Sequence, residues 1–137
     1  MFVFCYTAPD MKQDPVICIV GLGYVGLPLA HAFGKTEWRT IGYDIDVKRI
    51  EELKAGSDRT RELSQAALKE TKITWSADPA VMSEATVIIL AIPTPVDEKN
   101  EPDLSLVVAA TETVGKHLKP GTTVVYESTV YPGVTEE

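Results

Sequence analysis

Three glycines and one aspartate carry the chemistry of this sequence. Gly21, Gly23 and Gly26 form the spacing G-x-G-x-x-G directly after the apolar run Val16-Ile17-Cys18-Ile19-Val20, and Asp44 closes a second apolar run. A glycine at the end of a buried strand lets the backbone turn sharply. A second, lacking a side chain, lets an anion reach the main chain, and a third lets the next helix press against the sheet. That helix aims unpaired N–H groups and its positive dipole end at the anion. An acid about 20 residues further on accepts ribose hydroxyls. Together these features imply a bound dinucleotide. A carboxylate at Asp44 repels a 2′-phosphate, which favours NAD over NADP. Flavin and S-adenosylmethionine folds use similar turns and stay open at this point, as does a purely structural turn.

The elements that must position these residues alternate along the chain. A strand at about Val16–Val20 leads to a helix from about Tyr24 to Gly34, then a strand at Thr40–Tyr43. Asp46 caps a short helix that turns Ile50 and Leu53 inward and ends at Gly56. A polar loop from Ser57 to Glu62 and a helical piece from Ser64 precede a strand at Ile73–Trp75. A short helix from Asp78 to Ser83 leads to a fourth strand, Thr86–Ala91, apolar on both faces and therefore central. After a proline-rich loop, Pro93 to Pro102, Asp103 caps a helix with Leu104, Val107, Val108, Thr111, Val114 and Leu118 on one face. Pro120-Gly121 stops it, and a fifth strand follows at Thr123–Tyr126. This alternation predicts an α/β protein: a Rossmann doubly wound parallel sheet in three layers, with strand order 3-2-1-4-5. Residues 1–11 read as a loose N-terminal extension and 12–137 as one domain that stops before a sixth strand.

In that order the winding reverses between the first and fourth strands, and ligands bind outside their carboxyl ends. Three loops then converge: Gly21–Gly26, Ile92–Pro95 and Ser128–Gly133. The first holds phosphate. The second, stiffened by two prolines, brings Pro93 and Thr94 to the nicotinamide half. The third offers the hydroxyls of Ser128 and Thr129.

Composition sets limits. The 137 residues suffice for one core, and 45% hydrophobic with 24% charged content is ordinary for a globular chain. The net charge of −7 argues against nucleic acid or an anionic membrane as partner, though not against an anion bound by backbone amides. Cys5 and Cys18 form neither a disulfide framework nor a zinc site, which fits a reducing cytoplasm. No metal site is expected: Asp97-Glu98-Lys99-Asn100-Glu101 reads as a solvated loop tip. His31 and His117 read as packing and helix-end residues, and Arg59 and Arg61 as members of a plain charged loop. No run reaches transmembrane length.

Four segments, in order, resemble the nucleotide-sugar dehydrogenase family, which oxidises UDP-glucose, UDP-N-acetylhexosamines or GDP-mannose. They are Gly21-Leu22-Gly23-Tyr24-Val25-Gly26-Leu27-Pro28, Gly42-Tyr43-Asp44-Ile45-Asp46, Ile92-Pro93-Thr94-Pro95 and Glu127-Ser128-Thr129-Val130-Tyr131-Pro132-Gly133. Tyr131 before Pro132-Gly133, with Thr135-Glu136-Glu137 after, is most similar to the UDP-N-acetylglucosamine/galactosamine 6-dehydrogenase branch. The resemblance implies that Gly21, Gly23, Tyr24, Val25 and Gly26 form the pyrophosphate turn and that Asp44 takes the adenosine ribose. It places Arg49 over or beside that ribose, Pro93 and Thr94 along the second half of NAD, and Thr129 near the reacting carbon, positioning a water. The family oxidises a C6 alcohol to a carboxylate with two NAD⁺, through a cysteine-bound thiohemiacetal and thioester. Its catalytic cysteine, sugar-binding domain and dimerising helix lie beyond the part matched here. The resemblance therefore implies that this chain alone does not complete the reaction, and that the full-length form is a homo-oligomer acting on a UDP-sugar. Two other readings stay open: a Rossmann dehydrogenase of the hydroxyacid type, and a non-catalytic NAD-sensing module.

Overall fold

The computed structural model describes residues 2–4, 14–96 and 102–128. Its strands are β1 (Phe2–Phe4), β2 (Val16–Val20), β3 (Arg39–Tyr43), β4 (Ile73–Ser76), β5 (Val87–Leu90) and β6 (Thr123–Tyr126). Its helices are α1 (Gly26–Gly34), α2 (Val47–Lys54), α3 (Gln65–Lys69) and α4 (Ser105–His117), with a 3₁₀ turn at Pro79–Glu84.

The strands form one sheet in the order β1-β6-β5-β2-β3-β4. β2 to β6 are parallel, and counted from Val16 their order is the expected 3-2-1-4-5. The winding reverses between β2 and β5, whose carboxyl ends lie side by side with Val20 opposite Leu90. The N-terminal extension was expected to be loose; instead Phe2–Phe4 pairs antiparallel with β6, Phe2 opposite Tyr126 and Phe4 opposite Val124. The physical reason is the open edge of β6, whose unpaired N–H and C=O groups are satisfied by any extended segment that reaches them.

Alternation along each strand builds a core on both faces of the sheet. Ile17 and Ile19 pack with Leu27, Ala30, Ile50, Leu53 and Leu68 on the side of α1 and α2. Cys18 and Val20 pack with Ile41, Met82, Ile88, Leu90 and Val114 on the side of α4. β5 contributes to both clusters through Ile89 and its neighbours, as its unbroken apolar run requires.

Two caps follow the sequence. Asp46 accepts from the Lys48 N–H at the start of α2, and Ser64 accepts from the Ala67 N–H at the start of α3. α4 differs in detail. Asp103 accepts from the Ser105 N–H at 2.9 Å, yet the capping position itself is Leu104. The buried stripe of α4 is also narrower than expected: Val107 and Val114 are buried, while Val108 is 52% and Leu118 37% exposed. Thr111 completes the inner face with a polar contact, its hydroxyl 3.0 Å from the Tyr126 hydroxyl.

Ile19 is fully buried in β2. Ile19→Val is expected to lower unfolding free energy by about 0.5–1.5 kcal/mol and Ile19→Ala by about 2–5 kcal/mol, read from urea midpoints at constant m-value.

Candidate cofactor site

The turn after β2 uses each glycine differently. Gly21 adopts φ +93°, and a Cβ there would lie 2.7 Å from the Ala91 carbonyl oxygen. Its N–H donates to the Tyr43 carbonyl at 2.9 Å, which ties the turn to the end of β3. A Cβ at Gly26 would sit 1.7 Å from the Gly21 carbonyl oxygen, so no other residue fits where α1 meets the turn. At Gly23 a Cβ would meet no atom within 4 Å. That open backbone, next to the start of α1, is where a phosphate can approach. α1 has no side-chain cap at its N-terminus. Tyr24 and Val25, 70% and 57% exposed, flank the approach.

Asp44 stands at the carboxyl end of β3. One carboxylate oxygen accepts from the Leu22 N–H at 2.8 Å and the other from the Asp46 N–H at 2.9 Å. These bonds fix the carboxylate beside the glycine turn, and each oxygen keeps acceptor capacity for a ribose hydroxyl.

Arg49, 4% exposed, is buried against the turn. Its Nε donates to the Leu22 carbonyl at 2.9 Å, and Nη1 lies 2.8 Å from Asp58 Oδ1. Its guanidinium is thus held by protein groups inside the fold.

Asp58 is a hub that the sequence reading passed over as part of a polar loop. Oδ1 accepts from the Thr60 N–H at 2.9 Å and the Thr60 hydroxyl at 2.6 Å, besides meeting Arg49. Oδ2 accepts from the N–H groups of Glu62 and Leu63 at 2.8 and 3.0 Å. Burial pushes this carboxyl's pKa upward, but the bonds from Thr60, Leu63 and Arg49 outweigh it and hold it at about 2. The signal that could have revealed it is Asp58-x-Thr60 just after the helix-ending Gly56, a pattern of side-chain-closed turns. Arg59, as expected, stays in a half-exposed surface network with Glu52 and Asp46.

The other two loops reach the same end of the sheet. The Ser128 hydroxyl donates to the Ile92 carbonyl at 2.9 Å, and the Glu127 N–H donates to the Leu90 carbonyl at 2.8 Å. Gly21, packed on Ala91, completes the meeting of the three segments. Pro93 is exposed and Thr94 half-buried beside them. Thr129 lies outside the described residues, as do the acidic loop tip 97–101 and the last residues of the chain.

Cys18 is fully buried in β2, and burial pushes its thiol up to about 12, so it is not a nucleophile. Among the described residues no group of His, Cys, Asp and Glu side chains could hold a metal ion. No described helix is long and apolar enough to cross a membrane.

The family model for the NAD binding domain of the UDP-glucose/GDP-mannose dehydrogenase family matches residues 15–137. The chain belongs to this family. It is the family's NAD-binding domain, and the open glycine turn with Asp44 beside it fits that cofactor. Protein CapL of Staphylococcus aureus is 52% identical over 88% of this chain and 28% of its own length. The UDP-N-acetyl-D-glucosamine 6-dehydrogenase of Pseudomonas aeruginosa is 48% identical over 91% of this chain and 30% of its own length. Among solved structures, the NDP-N-acetyl-D-galactosaminuronic acid dehydrogenase of Methanosarcina mazei Go1 aligns with TM-score 0.83 at 30% identity, covering 93% of this chain and 30% of that one. The chain therefore spans roughly a third or less of the length of the relatives it matches. The (S)-3-hydroxybutyryl-CoA dehydrogenase of Ralstonia eutropha, at TM-score 0.59 and 15% identity, shares the fold alone.

Asp58 also makes a test of acid stability. Its folded pKa is depressed, so its contribution is complete above the unfolded value near 4 and is lost as pH falls toward about 2. Asp58→Asn leaves Arg49 without its partner and is expected to cost about 3–5 kcal/mol at pH 7. The gap in urea midpoints between wild type and variant should narrow between pH 4 and pH 2; a constant gap would refute the assignment.

Proposed function

We propose that this chain is the cofactor half of an NAD-dependent UDP-sugar 6-dehydrogenase. The full protein oxidises the C6 alcohol of a UDP-N-acetylhexosamine to the carboxylate and consumes two NAD⁺. The observation that carries the reading is the Asp44 carboxylate, fixed by two backbone N–H groups beside a turn that is open at Gly23. The substrate class is supported by the relatives. Those named UDP-N-acetyl-D-glucosamine 6-dehydrogenase are 46–48% identical, whereas those named UDP-N-acetyl-D-mannosamine dehydrogenase are 33–36% identical.

In this reading the cofactor supplies the hydride acceptor, and the chain's residues bind and orient it. The amides at Gly23 and at the start of α1 take the pyrophosphate, with Tyr24 and Val25 alongside. Asp44 accepts the adenosine ribose hydroxyls. Ile45, 82% exposed next to Asp44, offers an apolar surface to the adenine. Pro93, Thr94, Ser128 and Thr129 line the nicotinamide half, and Thr129 positions water at the reacting carbon. The thiolate that captures the aldehyde comes from a cysteine other than Cys18, whose thiol is sealed in the sheet.

Calorimetric titration tests the cofactor assignment. NAD⁺ should bind about tenfold tighter than NADP⁺, or better, because the 2′-phosphate meets the Asp44 carboxylate. Asp44→Ala should weaken NAD⁺ binding by about 1–3 kcal/mol, since the ribose bonds and the Leu22 N–H partner are lost together. Equal or tighter binding of NADP⁺ by the wild type would overturn the role given to Asp44.

A further inference from the structure

Arg49 and Asp44 meet the backbone of one residue. Arg49 Nε donates to the Leu22 carbonyl at 2.9 Å, and the Leu22 N–H donates to Asp44 at 2.8 Å. A guanidinium thus stands close to the acid that takes the adenosine ribose in the cofactor reading, the position the family resemblance also gives it. The two groups pull cofactor choice in opposite directions. An arginine near the ribose is what accommodates the 2′-phosphate of NADP in dinucleotide folds, because its charge and its fork of donors match phosphate oxygens. Asp44 repels a 2′-phosphate; Arg49, taken alone, would invite one.

A buried carboxylate opposes that invitation. Asp58 Oδ1 lies 2.8 Å from Arg49 Nη1, and the Asp58 side chain has no exposed surface. Thr60, Glu62 and Leu63 fix both carboxylate oxygens. The carboxyl is held at about 2, so its charge is present at neutral pH. Glu52, 3.7 Å from the same Nη1, adds a second negative charge. Arg59, beside α2, is likewise taken up, by Glu52 and Asp46. Pairing of this kind leaves a guanidinium its N–H donors, which suit neutral hydroxyls. It cancels most of the field that a phosphate would feel, and it holds the fork in place.

We propose that Asp58 is a positioning residue for cofactor selectivity: by neutralising and restraining Arg49 beside the ribose, it keeps the guanidinium from engaging a 2′-phosphate and so adds to the preference for NAD. Arg49 serves the ribose, and Asp58 acts through it without touching the nucleotide. The inference rests on the cofactor reading above and adds to Asp44 a second determinant that lies behind the site.

The test titrates NAD⁺ and NADP⁺ at neutral pH into the wild-type chain, Asp58→Asn, Arg49→Met and the double variant, each shown to be folded by far-UV circular dichroism. The readout is the ratio of the two dissociation constants. Partial unfolding weakens both cofactors by the same factor and leaves the ratio unchanged, so a merely structural role does not move it. Asp58→Asn should shift the ratio about tenfold toward NADP⁺. The same change made in Arg49→Met should shift it no more than about twofold, because no guanidinium is left to release. Glu37→Gln removes the same charge from the exposed turn before β3, at the opposite end of that strand from Asp44, and should leave the ratio as it is. An unchanged ratio in folded Asp58→Asn would overturn the proposal, as would an equal shift in the Arg49→Met background or in Glu37→Gln. If Asp58→Asn does not fold, Asp58→Ser, whose hydroxyl can still close the turn, takes its place with the same expectation. If neither folds, Glu52→Gln on the surface of α2 decides: a shift of about twofold toward NADP⁺ supports the proposal, and none overturns it. Failure of the wild type to bind NAD⁺, or a wild-type preference for NADP⁺, would remove the cofactor reading itself. A wild type that prefers NAD⁺, with an unchanged ratio in Asp58→Asn, would leave that reading standing and remove this inference alone.

Discussion

The site depends on how one residue, Leu22, is held. Its side chain is fully buried, its N–H is bound by Asp44 and its carbonyl by Arg49. A glycine-rich turn is intrinsically free to adopt many conformations, and that freedom costs binding energy whenever a ligand must order it. Pinning the non-glycine residue inside the turn removes this freedom before any ligand arrives. The glycines on either side then serve as clearances: one for the sharp turn, one for approach, one for the helix.

This arrangement also reconciles an acidic protein with an anionic ligand. The chain carries net charge −7, and the basic group nearest the turn, Arg49, is neutralised by Asp58. What the turn offers an anion is therefore backbone amides and the uncapped start of α1 rather than side-chain charge. Such donors act at short range and select for shape.

The fold was legible in the sequence wherever one force dominated. The β5 run Val87-Ile88-Ile89-Leu90, apolar on both faces, announced a central strand, and β6 was read to the residue. The helix caps at Asp46 and Ser64 followed from the preference of short polar side chains for helix starts. The shape of the glycine turn, Gly21 to Gly26 with Asp44 bonded to its Leu22 N–H, was legible because chain geometry restricts residue type there. What lay behind the turn was not. Asp58 looks like an ordinary loop charge in a one-dimensional reading, since nothing local says that a residue after α2 folds back onto Arg49. The width of the α4 stripe was misjudged for a related reason. Thr111 meets the Tyr126 hydroxyl across on β6 while Val108 is left half-exposed.

The pairing of β1 with β6 bears on the order of events in folding. Phe2 lies opposite Tyr126, so the outermost strand pair joins the two ends of the described chain across every other element. Closing so long a loop is entropically costly and is repaid by a three-residue strand only once β5 and β6 already stand in place. This edge pair is thus expected to be the last to dock. By the same reasoning it is the first to open, and amide exchange at this edge reports a local event well before the parallel core unfolds.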